Sequence, residues 1–156
     1  METKQLSKFV AETTYEALDP KTIGLAKMCV LDFMGAALAG SREESSRLLR
    51  EVVLSDTGEG EAVVLDGSFR RVSPAAAAAV NGAFGHAQDF DDLHNSSIVH
   101  PGVITIPTAL ALGQQLHLGG TQVLLAVVLG YDVAARIGET INPEAYHFWH
   151  TTAVAG

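Results

Sequence analysis

Six residues capable of proton or metal chemistry fall within fifteen positions of this chain: His86, Asp89, Asp91, Asp92, His94 and His100. Elsewhere charge is sparse, since only 18% of the sequence is Asp, Glu, Lys or Arg. In such a cluster carboxylates raise one another's pKa and a nearby imidazolium lowers it, so the same few residues can supply both an acid and a base near neutral pH. A helix continued through Asp89 would set His86 and Asp89 on one face at i and i+3, with Asp91 and Asp92 pointing elsewhere. Asp and Asn are also favoured in helix ends and turns, so a purely structural use of the segment stands beside the chemical one.

The elements that must position these groups read as helices. Leu6, Phe9, Val10, Thr13 and Ala17 recur at helical spacing and predict an amphipathic helix over about residues 4–18. Asp19-Pro20 is a cap followed by a first helical residue, opening a helix to about Leu38. Apolar side chains from Ile23 to Met34 nearly encircle it, which predicts a core helix. A third, amphipathic helix covers Arg42–Leu54. Glycines at 58, 60 and 67 mark a change of character, and residues 61–65 form a short strand or extended segment. Ser73-Pro74 then caps an alanine-rich helix whose small side chains allow close approach by its neighbours.

His100-Pro101-Gly102 interrupts any helix, because the residue before proline is pushed out of the α region. Helices from about Ile104 to Leu116 and from Thr121 to about Thr140 follow, separated by the Gly119-Gly120 turn and closed by Asn142-Pro143. Within them Gly130 marks close packing, Asp132 and Arg136 form a structural i, i+4 pair, and His117 faces a helix C-terminus. Cys29 is a core residue, and Trp149 is either core or a wall beside His150. The fold class is all-α: a multi-helix bundle with one short extended excursion near 61–65, residues 1–156 making a single, incomplete helical domain.

Composition narrows the function. A chain of 156 residues, 47% of them hydrophobic, can bury a core and is not disordered. Ten basic against eighteen acidic residues give a net charge of -8, and no Lys/Arg stripe provides a nucleic-acid footprint. An anionic substrate stays compatible, since a local site can be positive inside a negative protein. The lone Cys29 excludes an internal disulfide and a Cys-ligated iron–sulfur cluster. The N-terminus lacks an apolar h-region, and the longest aliphatic stretch, Val123–Leu129, is short of a membrane span. A cytoplasmic protein with neither nucleic-acid nor membrane partners is expected.

Two chemistries compete for the cluster. As metal ligands, the run Asp91-Asp92-Leu93-His94-Asn95 is similar to the DDxxD of terpenoid synthases, with Asn95 in the last place, and the His and Asp residues together are similar to those of metal phosphohydrolases. As general acid and base, the same groups work without a metal.

Four segments decide the expectation. Asn81-Gly82-Ala83-Phe84-Gly85-His86 through Asp89-Phe90-Asp91-Asp92-Leu93-His94, followed by His100-Pro101, resembles the signature of the MmgE/PrpD (2-methylcitrate dehydratase-like) family. The segments Leu31–Ser41, Gly130–Gly138 and His150–Gly156 resemble the family's LD..G..LAGS, GYE…RIG and H.T...G motifs, in the same order. The resemblance implies a lyase or isomerase (dehydratase, epimerase or decarboxylase) acting on a small di- or tricarboxylate by proton transfer beside a carboxylate. It implies no metal, no cofactor and a homodimer at full length. It makes Asp89, His100 and His150 catalytic, and Asp92, His94 and Thr152 substrate-binding. Leu93 where the family carries Thr, His147-Phe148 where Arg-Gly is common, and Ala153 in place of Gly bear on the substrate rather than the fold. The family's cationic lysines fall downstream, so residues 1–156 alone are expected to be inactive. A metal-dependent helical hydrolase or synthase, and a truncated non-catalytic helical module, are the alternatives.

Overall fold

Asp19 begins the first long helix as its sequence position implies. In the computed structural model, which describes residues 2–141 and 144–155, its carboxylate accepts from the amides of Lys21 and Thr22 at 2.9 and 3.0 Å. Pro20 supplies a pre-set first turn. The helix so opened, α2, spans Pro20–Gly40, and α1, Glu2–Glu12, precedes it. The first helix is therefore shorter than its apolar spacing predicts. The β-branched pair Thr13-Thr14 weakens it, Thr14 is extended, and a separate 3-10 turn forms at Tyr15–Ala17.

After α3, Glu44–Ser55, the extended excursion proves to be half of a small antiparallel pair. Strand β1, Ala62–Val63, lies beside β2, Arg71–Val72, with Ala62 opposite Val72. Ser73 then caps α4, Pro74–His86, with its hydroxyl oxygen 3.4 Å from the Ala76 amide. Helices α5, Gly102–Gln115, and α6, Gly120–Ile141, come next; a 3-10 turn, Glu144–His147, precedes the short α7, Thr151–Ala155. The expected helix stop at Asn142-Pro143 lies outside the described residues.

The alanine-rich α4 packs against α2, α3 and α5, and the core gathers around it. Phe33, Val64, Val72, Ala77, Val80, Phe84, Ile106 and Val127 form one buried cluster spanning α2, the strand region and α4–α6. Gly130 marks close packing as read from the sequence: a Cβ there would stand 2.7 Å from Cγ2 of Thr105 on α5. Asp132 and Arg136 form the expected pair, at 2.6 and 3.1 Å.

Helix α2 is a correction. Ala26, Phe33, Ala37 and Gly40 are buried, but Leu25, Met28 and Leu38 are exposed and Leu31 is 74% exposed. An encircling apolar sequence says that a helix can be covered on every side, and among the described residues only one side is. By length and apolar character α2 would suffice to cross a membrane, longer than the stretch singled out above. One face is nonetheless committed to α4, α5 and α6. Trp149 is exposed too, so it is not a core residue here.

Asn81 joins the strand region to α4. Buried within the helix, it accepts from the Leu65 amide at 2.8 Å and donates to the Val63 carbonyl at 2.9 Å. Asn81→Ala removes both partners at once and leaves an amide and a carbonyl without replacements, which should cost roughly 2–3 kcal/mol. The urea midpoint measures this; a loss under about 0.5 kcal/mol would mean that water takes both positions.

Candidate active site

Helix α4 ends at His86, and the chain turns at once. The Asp89 amide donates to the His86 carbonyl at 3.0 Å, and Asp89 itself takes φ +50°, in the left-handed region that Asp tolerates better than most residues. The turn removes Asp89 from the helical face of His86 and brings Asp91 to it instead. The reading that Asp91 points elsewhere is thereby corrected, because it assumed a helix that stops three residues earlier.

Asp91 occupies the centre of the arrangement. Its side chain is only 2% exposed, and its two oxygens lie 3.0 and 3.1 Å from Nδ1 of His86. Oδ2 also lies 3.0 Å from Nδ1 of His100. That second approach has ion-pair distance but not the alignment of a hydrogen bond, so His100 Nδ1 forms none. The two imidazoles meet edge to face with centroids 4.8 Å apart. A buried carboxylate needs partners, and two imidazoles provide them. Because an ionised carboxylate only accepts, His86 donates from Nδ1, and its Nε2 remains for other work.

Asp89, 80% exposed, reaches the other side of His100: its Oδ1 is 4.0 Å from Nε2. The ring of His150 lies 5.9 Å from that of His86 and 6.2 Å from that of His100. The start of α7 holds the loop before α5 in place. Thr152, buried, accepts from the His100 amide at 3.0 Å, and the Thr151 hydroxyl donates to the Ile98 carbonyl. Asp89, His100 and His150 thus lie together, with His86 and Asp91 added.

Asp92 and His94 do not join them. Oδ1 of Asp92 accepts from the Gly102 amide at 3.0 Å, at the first residue of α5. Burial pushes its carboxyl up, with Asp91 and Asp32 adding to the effect, against the Tyr131 hydroxyl and the Gly102 amide. The Tyr131 hydroxyl sits beside this carboxyl without the alignment of a formed hydrogen bond. Burial, and then Asp92, push that phenol far above its ordinary value. His94 is spent on its own loop, with Nδ1 2.8 Å from the Ser97 hydroxyl and its amide donating to the Val99 carbonyl.

An open groove of about 950 Å³ adjoins the cluster, lined by Ala78, Gly82, Ala83 and Ile104 and bordered by His86, His150 and Thr152. Another hollow, at Val10, Leu125 and Val133, has no titratable side chain in its lining, so reactive groups and space coincide only at the first of these two. One ligand atom from each of His86, Asp89, Asp91 and His100 lies within 4.8 Å of the others, a spacing that would also admit a cation.

Residues 4–156 match the MmgE/PrpD N-terminal domain. This chain belongs to the MmgE/PrpD family. Among its relatives, the cis-aconitate decarboxylase of Aspergillus terreus is 27% identical over 161 residues, covering 99% of this chain and 33% of that protein. The cis-aconitate decarboxylase-like protein oryM of Aspergillus oryzae is 27% identical over 163 residues, covering 99% and 34%. Cis-aconitate decarboxylase of Homo sapiens is 28% identical over 124 residues, covering 77% and 26%. The chain spans about a third of the length of the first two of these relatives.

Three of the four MmgE/PrpD segments meet at the cluster or directly behind it, at Asp92. His86 and Asp91 come from the first, His100-Pro101 from its end, Tyr131 from the α6 segment, and His150 and Thr152 from the last. Gly156, which completes that last segment, lies outside the described residues. Sequence reasoning gave Asp91 a named role only in the metal-ligand alternative, and the missing signal was the turn at Asp89, which no periodicity reveals.

Proposed function

We propose that this chain is the helical, proton-transferring part of a metal-independent MmgE/PrpD lyase or isomerase acting on a small di- or tricarboxylate. The observation that carries the reading is Asp91, buried between the Nδ1 atoms of His100 and of His86, the latter bordering an open groove. Dehydration, epimerisation and decarboxylation of such acids all place electron density on a carbon next to a carboxylate. A proton must then be moved at that carbon, and a positioned imidazole contributes about a hundred- to ten-thousand-fold. We assign that transfer to Nε2 of His100, with Asp89 on the same side of the ring. Asp91 faces the opposite side at ion-pair distance, and His150 orients a substrate carboxylate at the groove. Stabilising the developing negative charge requires donors and cations as well, which is the part assigned to the rest of the full-length protein.

The named activity of the relatives makes cis-aconitate the first compound to try. Full-length protein in deuterated water should incorporate deuterium beside a carboxylate, or release carbon dioxide, with at least one member of a panel of di- and tricarboxylates. His100→Ala should abolish it. Absence of exchange and turnover across the panel, from folded full-length protein, would remove the reading.

The spacing of His86, Asp89, Asp91 and His100 favours a second reading, in which a divalent cation sits among them. Elemental analysis decides between the two. A stoichiometric ion whose chelation abolishes turnover establishes the second; turnover that survives chelation retains the first.

A further inference from the structure

We infer that Asp92 is a positioning residue, which holds His100 against Asp91 by anchoring the first amide of α5. The inference rests on the proton-transfer reading above. Asp92 follows Asp91 directly, and its Oδ1 accepts from Gly102, two residues beyond His100, at 3.0 Å. The carboxylates at 91 and 92 therefore close two neighbouring links between the same pair of segments, one through the His100 imidazole and one through the Gly102 backbone. The Asp92 link is the one made to backbone, so it fixes where the His100 side chain starts.

Two features argue that the link is built rather than incidental. The amide of a first helical residue has no partner within its own helix, and Pro101 before it offers no side-chain acceptor, so an outside acceptor is required. Asp92 is that acceptor. The space it occupies also exists because residue 102 is glycine: a Cβ there would stand 2.5 Å from Asp92 Oδ1 and 2.8 Å from the Tyr131 hydroxyl. Thus Asp92, Gly102 and Tyr131, from three separate stretches of sequence, meet at one point behind the cluster. Thr152 holds the His100 amide from the other side, so the imidazole hangs from a segment fixed at both ends.

The test uses four full-length variants, each assayed for kcat and KM and crystallised. Asp92→Asn keeps an acceptor oxygen at the anchor and should retain kcat within about threefold, with the His100 to Asp91 contact intact. Asp92→Ala removes the anchor, and Gly102→Ala displaces it from the opposite side. Each should lower kcat about a hundredfold through misplacement of His100, with KM little changed. Asp92→Ser, too short to reach Gly102, takes the place of Asp92→Ala should that variant fail to fold. A rise in KM at constant kcat would make Asp92 a substrate ligand and overturn the inference. So would an unchanged separation of His100 from Asp91 in the crystals of the anchor-less variants. That separation is read without any substrate. If the His100→Ala variant keeps full turnover, the proton-transfer reading fails while the crystals still judge the anchor.

Discussion

Asp91→Asn in the full-length protein should lower kcat by roughly a thousandfold, about 4 kcal/mol of transition-state stabilisation, with the far-ultraviolet circular dichroism unchanged. The substitution conserves shape and removes the property on which the arrangement depends. Asp91 presents two accepting oxygens to two imidazoles at 3.0 Å. Asparagine presents one acceptor and one amide donor, so at least one imidazole faces a donor where it had an acceptor. That ring must rotate, change tautomer or lose the contact, and because the His86 and His100 rings meet edge to face, a change in either displaces the nitrogen offered to the substrate. An aspartate that orients a catalytic histidine elsewhere loses about ten-thousand-fold on the same exchange, and the lower figure here allows for the alignment His100 lacks in this structure. Steady-state rates on whichever carboxylate the panel identifies measure the effect. A variant retaining a third or more of the activity would show that His100 needs no orienting carboxylate.

That Asp91 had to be found in three dimensions illustrates which information is local. Helix starts were legible because a cap and a proline sit side by side, at Asp19-Pro20 and Ser73-Pro74, and both open helices where expected. The all-α class followed from apolar spacing over long segments. The second strand was not legible, since two residues at Arg71–Val72 are too few for any pattern. Nor was the uncovered face of α2, because the sequence of a helix that is apolar all round does not say which neighbours arrive. The resemblance to the MmgE/PrpD segments led to Asp89, His100 and His150, which lie together. His86 and Asp91 required the left-handed turn at Asp89, and the Thr152 contact required a partner 52 residues away. The same resemblance made Asp92 and His94 substrate-binding residues. They are engaged with Gly102 and Ser97 because adjacent residues on a turn point in different directions.

The positions of the imidazoles depend in turn on how closely α2 meets the end of α4, which a second substitution examines. Gly40→Ala should destabilise the protein by about 3 kcal/mol, or lower Tm by roughly 6–12 °C. A Cβ at Gly40 would lie 2.0 Å from the backbone oxygen of Phe84 and 3.1 Å from Cβ of Ala87. No side-chain rotation relieves a clash with backbone, so the two helices have to separate. Phe84 lies two residues before His86, and the displacement is delivered to the end of α4 that carries it. Gly35→Ala supplies the comparison within the same helix. A Cβ there meets nothing within 4 Å, and alanine costs less conformational entropy than glycine, so that variant should be neutral or gain up to about 1 kcal/mol. Opposite signs from two identical substitutions five residues apart cannot come from helix propensity, which would make both stabilising. They can come only from the contact between α2 and α4. Thermal unfolding of both variants decides it, and equal Tm values for the two would mean that the helices do not approach as closely as the Gly40 to Phe84 geometry requires.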